Sequence, residues 1–259
     1  MTKGKLPLFF LISVLPACAS LPEPEGFVYQ EIITKDFPLA SWARITKEGA
    51  PLRIYIEGDG LAWINAYTPS SDPTPSDLML LDLAGMDDSS NVAYLARPCQ
   101  FVMSRECRIY YWTAGRFDPK VVHAETEAVR TLIRQYKAPS VELVGYSGGG
   151  AVALLTAPDI PEVSKIYTIA GVSDHRAWTS FHKDSPLKGS LNPADYKEKL
   201  EKIPQTHFAG GADKVVPVSL TEQFVYSMKG GKAEVVVVPG VSHNKGWKKV
   251  WKRLIEPLK

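Results

Sequence analysis

The sequence has no marked excess of charge of either sign. Its 30 Lys and Arg and 28 Asp and Glu give a formal net charge of +2 at pH 7. This surplus is too small for nucleic acid or another polyanion to be expected as the main partner. The sequence also shows no internal repeat and no low-complexity tract. With 259 residues, of which 45% are hydrophobic and 22% charged, it is long enough to bury a large core as one α/β domain, and a second full domain is not expected.

The chain begins with an apolar run too short to serve as a membrane-spanning helix. Residues 6–15 are almost entirely apolar and follow Lys3 and Lys5, whereas a permanent transmembrane helix needs about 20 apolar residues. A basic start followed by a short apolar core is typical of an export signal. We therefore expect residues 1–17 to be a signal peptide.

Cysteine is scarce, with three residues in the chain. The first ends the run Leu15-Pro16-Ala17-Cys18, which resembles the bacterial lipoprotein signal in its large apolar residue three positions before the cysteine and its small residue just before it. The alternative is an ordinary secretory signal with an incidental Cys18. The resemblance implies that Cys18 carries lipid and that 18–26 form a tether stiffened by prolines. Because no aspartate follows the cysteine, it also implies an anchor in the outer membrane.

The two remaining cysteines are Cys99 and Cys107. In an exported chain such a pair is expected to form a disulfide, and two free buried thiols are the alternative. No histidine lies at ligand spacing from either cysteine, so no metal site is expected there. Nothing in the sequence calls for a cofactor.

Apolar, β-branched segments alternate with segments of helical periodicity along most of the chain. An antiparallel pair is expected at 27–34 and 39–46, and further strands at 52–56, 92–96, 141–146, 163–170, 205–209 and 233–238. Helices are expected between them, for example over 119–136, where Asp118 is suited to the N-cap and Pro119 to the first helical position. The alternation predicts a mostly parallel central sheet flanked by helices.

The most informative stretch is the strand 141–146, which leads into Ser147 and then into a helix. Gly145 and Gly149 stand two positions before and two after the serine. A sharp strand-to-helix turn that strains the serine backbone leaves no room for Cβ atoms at these two positions. The pattern therefore predicts a serine nucleophile.

A serine nucleophile needs a histidine base and an acid to orient that base. Asp213 follows the expected strand 205–209, and His243 follows the strand 233–238. The carboxyl ends of parallel strands border the ligand crevice in sheets of this kind. With Ser147, Asp213 and His243 in this order, the chain from residue 27 to its final helix resembles the α/β-hydrolase superfamily.

The resemblance implies the remaining parts of the site. Ser147 would be the nucleophile, Asp213 the acid and His243 the base. The oxyanion would be held by the amide of Gly148 and by an amide of the loop after the third strand, where Asp59 is the expected donor. Glu57 stands where the family usually has a histidine.

Residues 171–202 follow the sixth strand, at the place where this superfamily inserts a lid. Such a long connection is more often functional than not. The aromatic residues expected at the substrate pocket are Trp63, Tyr67, Tyr146 and Trp178, with mere packing as the alternative. Asp174 is a second candidate for the acid, because it also follows a strand.

The sequence thus predicts an exported, lipid-anchored serine hydrolase that cleaves a small-molecule carboxylic ester through an acyl-enzyme. A peptidase, thioesterase or acyltransferase would use the same three residues. A non-catalytic envelope-binding module that retains the fold is the alternative from another class.

Overall fold

The computed structural model describes residues 21–255. The expected signal peptide and Cys18 lie outside the described residues. The main sheet has eight strands, which we number β1 (Val28–Ile33), β2 (Pro38–Ile45), β3 (Leu52–Ile56), β4 (Asn91–Leu95), β5 (Val141–Tyr146), β6 (Val163–Ile169), β7 (Gln205–Gly210) and β8 (Ala233–Val238). Two short strands, Trp63–Asn65 and Thr68–Pro69, form a separate hairpin.

The strand order in the main sheet is β1-β2-β4-β3-β5-β6-β7-β8. The pairs β1/β2 and β2/β4 are antiparallel, and every other neighbouring pair is parallel. The prediction of a mostly parallel sheet opened by an antiparallel pair is therefore confirmed. Because β3 to β8 all run in one direction, the segments that follow them meet at one edge of the sheet.

Seven α-helices accompany the sheet within the described residues: α1 (Met79–Gly85), α2 (Pro119–Tyr136), α3 (Gly148–Thr156), α4 (His175–His182), α5 (Lys197–Leu200), α6 (Val218–Tyr226) and α7 (Trp247–Ile255). Buried residues of α2, α3 and α6 pack on one face of the sheet, and those of α1 and α7 on the other. Leu143 and Val144, adjacent in β5, belong to opposite faces and are both fully buried. A strand covered on both faces is apolar at consecutive positions, which explains the continuous apolar run in the sequence.

Helix α2 follows the capping chemistry expected from its sequence. The carboxylate of Asp118 accepts a hydrogen bond from the amide of Lys120 at 2.9 Å, and Pro119 is the first helical residue. The helix ends at Lys137, which adopts a left-handed conformation with φ of 52°. Pro139 lies two residues beyond this cap, a common position for a proline after the end of a helix.

The segment between β4 and α2 contains the expected disulfide. Cys99 and Cys107 are joined, with their Cα atoms 5.8 Å apart. Cys99 is fully buried in the core. The bond therefore ties an otherwise irregular loop to the core at the carboxyl end of β4.

The connection 171–202 carries α4 and α5 and covers the loop that precedes α2. The amide of Leu191 donates to the carbonyl of Phe117 at 2.9 Å, and the hydroxyl of Ser190 donates to the carbonyl of Ala114 at 2.7 Å. Among residues 21–255, no helix combines the length and apolar composition needed to cross a lipid bilayer.

Candidate active site

Ser147 sits in a strained turn between β5 and α3. Its φ and ψ are 50° and −118°, a region that side-chain-bearing residues rarely adopt. A Cβ on Gly145 would overlap the carbonyl of Gly149, and a Cβ on Gly149 would overlap the carbonyl of Ile56. The two glycines therefore allow the turn to lie against β3 and present the serine at the carboxyl edge of the sheet.

The structure brings the three predicted catalytic side chains together. His243 Nε2 lies 3.0 Å from Ser147 Oγ, and His243 Nδ1 lies 2.9 Å from Asp213 Oδ2. These are hydrogen-bond distances, and they place the imidazole between the hydroxyl and the carboxylate. The arrangement can remove a proton from Ser147 while Asp213 stabilises the imidazolium that forms.

Asp213 is held by the loop that carries it. Its Oδ1 atom accepts hydrogen bonds from the amides of Val215 at 2.7 Å and Val216 at 2.9 Å, and its side chain is fully buried. Because Oδ1 is occupied by these amides, Oδ2 faces His243. The two amides therefore hold the carboxylate of Asp213 in a single orientation.

His243 is fixed through its own carbonyl oxygen. The indole of Trp247 donates to it at 2.9 Å and the hydroxyl of Tyr146 at 3.3 Å. The Tyr146 and His243 rings also face each other with centroids 5.4 Å apart. Tyr146 thus borders the base as well as the nucleophile.

The two amides expected to bind an oxyanion, those of Gly148 and Asp59, lie in α3 and in the loop after β3. Gly148 is the first residue of α3, and the amides of a first helical turn have no acceptor within the helix. In the loop after β3, the amide of Gly58 donates to Glu57 Oε1 at 2.7 Å. The amide of Asp59 has no acceptor in the described part of the chain. The amide of the expected donor, Asp59, is therefore not occupied by another protein group within residues 21–255.

One protein-family model and many solved structures are similar to this chain. The family model described as "Lipase (class 3)" matches residues 87–172, about a third of the chain, including Ser147 but neither Asp213 nor His243. No curated protein matches the sequence significantly.

Similar solved structures include esterases and a peptidase. Est1E from Butyrivibrio proteoclasticus with bound ferulic acid has 13% identity and a TM-score of 0.67, over 88% of this chain and 97% of that one. The Pyrococcus furiosus esterase Pf2001 has 15% identity and a TM-score of 0.64, over 88% of this chain and 90% of that one. The Pyrococcus horikoshii acylaminoacyl peptidase has 14% identity and a TM-score of 0.64, over 90% of this chain and 41% of that one.

The chain has the α/β-hydrolase fold. The lipase match and the esterase-like neighbours support a serine hydrolase of the esterase type.

The alternative acid, Asp174, has another function in the structure. Asp174 is the N-cap of α4, and its Oδ1 atom accepts from the amides of Arg176 and Ala177 and from the side chain of Asn192. It makes no hydrogen bond to His243. Capping a helix is the ordinary function of an aspartate at this position.

A buried carboxyl group that the sequence did not mark as functional lines the cavity that contains Ser147. Glu57 is 3% exposed and accepts from the hydroxyl of Tyr94 at 2.8 Å as well as from Gly58. Burial raises the pKa of Glu57 to about 7, although these two hydrogen bonds act in the opposite direction. By binding the amide of Gly58, Glu57 fixes the backbone that presents Asp59.

Two buried arginines neutralise Asp59, and the sequence did not reveal them. Arg116 Nη1 lies 2.6 Å from Asp59 Oδ2, and Arg97 Nη1 lies 3.5 Å from Oδ1. Arg97 also forms an ion pair with Glu125, with its Nε atom 3.3 Å from Glu125 Oε1. The angle between the two groups does not allow a hydrogen bond. Burial raises the pKa of Glu125 to about 8, despite the attraction of Arg97. Asp59, Arg97 and Arg116 are 19 to 57 residues apart in sequence, so no local motif marks them.

Two of the cavities in the described residues lie around Ser147 and Arg116. The catalytic cavity, of about 260 Å³, is lined by Ser147, His243, Tyr146 and three carboxyl groups, those of Glu57, Asp59 and Asp77. The second cavity, of about 550 Å³, is lined by Trp63, Trp178, Arg116 and the segment 184–187 among others.

The predicted pocket residues are therefore divided between the two cavities. Tyr146 borders the catalytic cavity, whereas Trp63 and Trp178 border the second. Tyr67, at the tip of the hairpin, is 92% exposed and lines neither.

Proposed function

We propose that this protein hydrolyses carboxylic esters through an acyl-enzyme on Ser147. The observation that carries the proposal is the continuous hydrogen-bonded series from Ser147 through His243 to Asp213, with distances of 3.0 and 2.9 Å. A chain that had lost catalysis would be under no constraint to keep all three side chains at these distances.

The chemistry follows from the positions of the reacting atoms. Ser147 Oγ attacks the ester carbonyl carbon while His243 Nε2 takes the hydroxyl proton. The amides of Asp59 and Gly148 stabilise the negative charge on the carbonyl oxygen. The C–O bond then breaks, and the alcohol leaves with the proton held by His243. A water molecule deprotonated by His243 attacks the acyl-serine, which releases the acid and restores Ser147.

The size of the catalytic cavity favours a short acyl group. Its volume of about 260 Å³ lies just below the roughly 300–1,000 Å³ of sites that enclose drug-sized ligands. Acetyl to butyryl esters are expected to be cleaved faster than long-chain esters. A peptidase is the second candidate, because the acylaminoacyl peptidase has a similar fold and serine peptidases use the same three types of side chain.

Export and lipid anchoring belong to the same proposal. The basic start, the apolar run 6–15 and the sequence Leu15-Pro16-Ala17-Cys18 support a lipoprotein anchored in the envelope. The disulfide between Cys99 and Cys107 supports an oxidising compartment.

In cells given labelled palmitate, the wild type should become labelled and Cys18→Ser should not. Equal labelling of both proteins would contradict the anchor.

A fluorophosphonate probe tests the serine hydrolase directly. The folded mature protein should be labelled, whereas Ser147→Ala and His243→Ala should not. Absence of labelling in the wild type, or equal labelling of Ser147→Ala, would refute the assignment and favour a non-catalytic binding module. Parallel assays with 4-nitrophenyl esters and amides of the same acyl group distinguish an esterase from a peptidase.

A further inference from the structure

The second cavity contains a cation that is only partly neutralised by its neighbours. Arg116 is 8% exposed and lines this cavity. Its Nη1 atom binds Asp59 and its Nε atom donates to the carbonyl of Thr113 at 2.8 Å. Its Nη2 atom has no acceptor within residues 21–255. One guanidinium edge is therefore free to bind a ligand.

The buried charges around Arg116 leave a positive surplus. Arg97 and Arg116 share one carboxylate, that of Asp59. Glu125 and Glu57 are the other acidic groups that interact with Arg97. Burial raises the pKa of Glu125 to about 8 and that of Glu57 to about 7, so at neutral pH Glu125 is largely and Glu57 about half protonated. Asp184 also lines the second cavity, but it is exposed and therefore screened by solvent. A buried surplus cation favours an anionic ligand.

The walls beside Arg116 are aromatic. Trp178 lies over the guanidinium, 6.0 Å from its ring centroid, and its indole nitrogen donates to the carbonyl of Val215 at 2.7 Å, which fixes the ring. Trp63, in the hairpin after β3, is 42% exposed and lines the same cavity. Flat apolar groups pack favourably against such rings.

The second cavity is adjacent to the catalytic one. Asp59 lines the catalytic cavity together with Ser147, and its Oδ2 atom is 2.6 Å from Arg116 Nη1 in the second cavity. The catalytic cavity itself has three carboxyl groups in its lining, which disfavours another negative charge there. An anionic part of a substrate is thus expected on the Arg116 side.

We infer that the second cavity is a substrate subsite for an anionic aromatic group, with the negative charge bound by Arg116 and the ring packed against Trp63 and Trp178. This inference rests on the proposed esterase function for the position of the ester bond. It predicts a preference for esters in which either the acyl or the alcohol half carries a ring with a negatively charged substituent.

Two matched pairs of esters test this preference. The first pair, 2-naphthyl acetate and 6-carboxy-2-naphthyl acetate, places the carboxylate on the alcohol half. The second, methyl 2-naphthoate and monomethyl naphthalene-2,6-dicarboxylate, places it on the acyl half. In at least one pair the wild type should cleave the anionic ester with a kcat/KM roughly tenfold or more above that of the neutral ester, as expected for one charge-assisted hydrogen bond.

The ratio of kcat/KM for the anionic ester to kcat/KM for the neutral ester reports on anion binding by Arg116. It is not affected by a loss of activity, common to both esters, that follows from moving Asp59. Arg116→Gln should abolish the preference even though it also slows both esters, and Arg116→Lys should retain part of it. Arg176→Gln, which removes an exposed arginine of α4 outside both cavities, should retain it in full. No preference in the wild type, or an unchanged preference in Arg116→Gln, would overturn the inference.

Binding to the Ser147→Ala variant separates this subsite from the proposed function. By calorimetry, 2-naphthoate should bind this variant roughly tenfold or more tightly than 2-naphthamide, and the additional change Arg116→Gln should remove the difference. If this binding is found but the wild type cleaves no ester, the subsite stands and the esterase function fails. If esters are cleaved but 2-naphthoate binds no better than 2-naphthamide, the subsite is refuted.

Discussion

The carboxylate of Asp59 lies so close to Gly148 that a methyl group on Gly148 would overlap Asp59 Oδ1. Asp59 cannot simply swing away, because Arg116 holds its other oxygen at 2.6 Å. The two residues proposed to hold the oxyanion are therefore packed directly against each other. The position of one amide depends on the position of the other.

Gly148→Ala should therefore impair catalysis more than folding. Displacing Asp59 moves one oxyanion donor, and losing such a donor typically costs about 10²- to 10³-fold in kcat. We expect a loss of this order in the hydrolysis of a 4-nitrophenyl ester. Gly85→Ala is the matched control, because a Cβ at Gly85 would meet nothing within 4 Å. Equal activities of the two variants would contradict the packing argument.

The disulfide is expected to support both stability and the oxyanion loop. Gln100, inside the disulfide loop, donates from Nε2 to the carbonyl of Gly58 at 3.0 Å. Reduction of Cys99–Cys107 should lower the free energy of unfolding by roughly 2 to 3 kcal/mol on the chain-entropy estimate, and it should also lower kcat. Urea unfolding and ester hydrolysis with and without reductant measure the two effects.

Gln100→Ala separates these two contributions of the disulfide loop. It removes the hydrogen bond to Gly58 and leaves the covalent bond intact. We expect kcat to fall, with a loss of stability smaller than that caused by reduction. If kcat is unchanged in Gln100→Ala, the loop supports folding only.

Glu125 should make stability fall as the pH rises. Burial raises its pKa in the folded protein from 4.5 to about 8, so between these values the folded state holds a proton that the unfolded state has released. The free energy of unfolding then decreases with pH by at most about 1.4 kcal/mol per pH unit from this group. Glu125→Gln should remove this decrease in urea unfolding from pH 5 to 9.

An exposed glutamate provides the comparison for this pH series. Glu198→Gln, on α5, should leave the pH dependence of the wild type unchanged. If Glu125→Gln shows the same pH dependence as the wild type, Glu125 is not the proton-binding group. The surplus positive charge beside Arg116 would then be smaller than inferred.

The sheet and the meeting of Ser147, His243 and Asp213 were predictable because each depends on local signals. Apolar runs mark the strands, and Gly145 and Gly149 mark the turn around Ser147. Once the strands are parallel, the residues that follow them must meet at one edge. Asp213 and His243 could therefore be expected beside Ser147 from their positions alone.

The electrostatic environment of the site was not predictable in the same way. Arg97 and Arg116 reach Asp59 only because the loop after β4 packs against the loop after β3. No periodicity or motif connects residues so far apart in sequence. Tyr67 was expected in the pocket for its aromatic ring, but the hairpin turns it into solvent. Residue type alone does not indicate which way a loop side chain points.

The assignment of the acid can be tested by two matched substitutions. Asp213→Asn should lower kcat by about 10⁴-fold, because an amide cannot hold His243 in the tautomer that accepts the serine proton. Asp174→Asn should leave kcat nearly unchanged, since Asp174 caps α4 and makes no hydrogen bond to His243. Asparagine is itself a good N-cap, so this variant should also remain folded. Circular dichroism checks the folding of both variants, and steady-state hydrolysis of a 4-nitrophenyl ester gives the two kcat values. A large loss in Asp174→Asn with little loss in Asp213→Asn would move the acid to the end of β6.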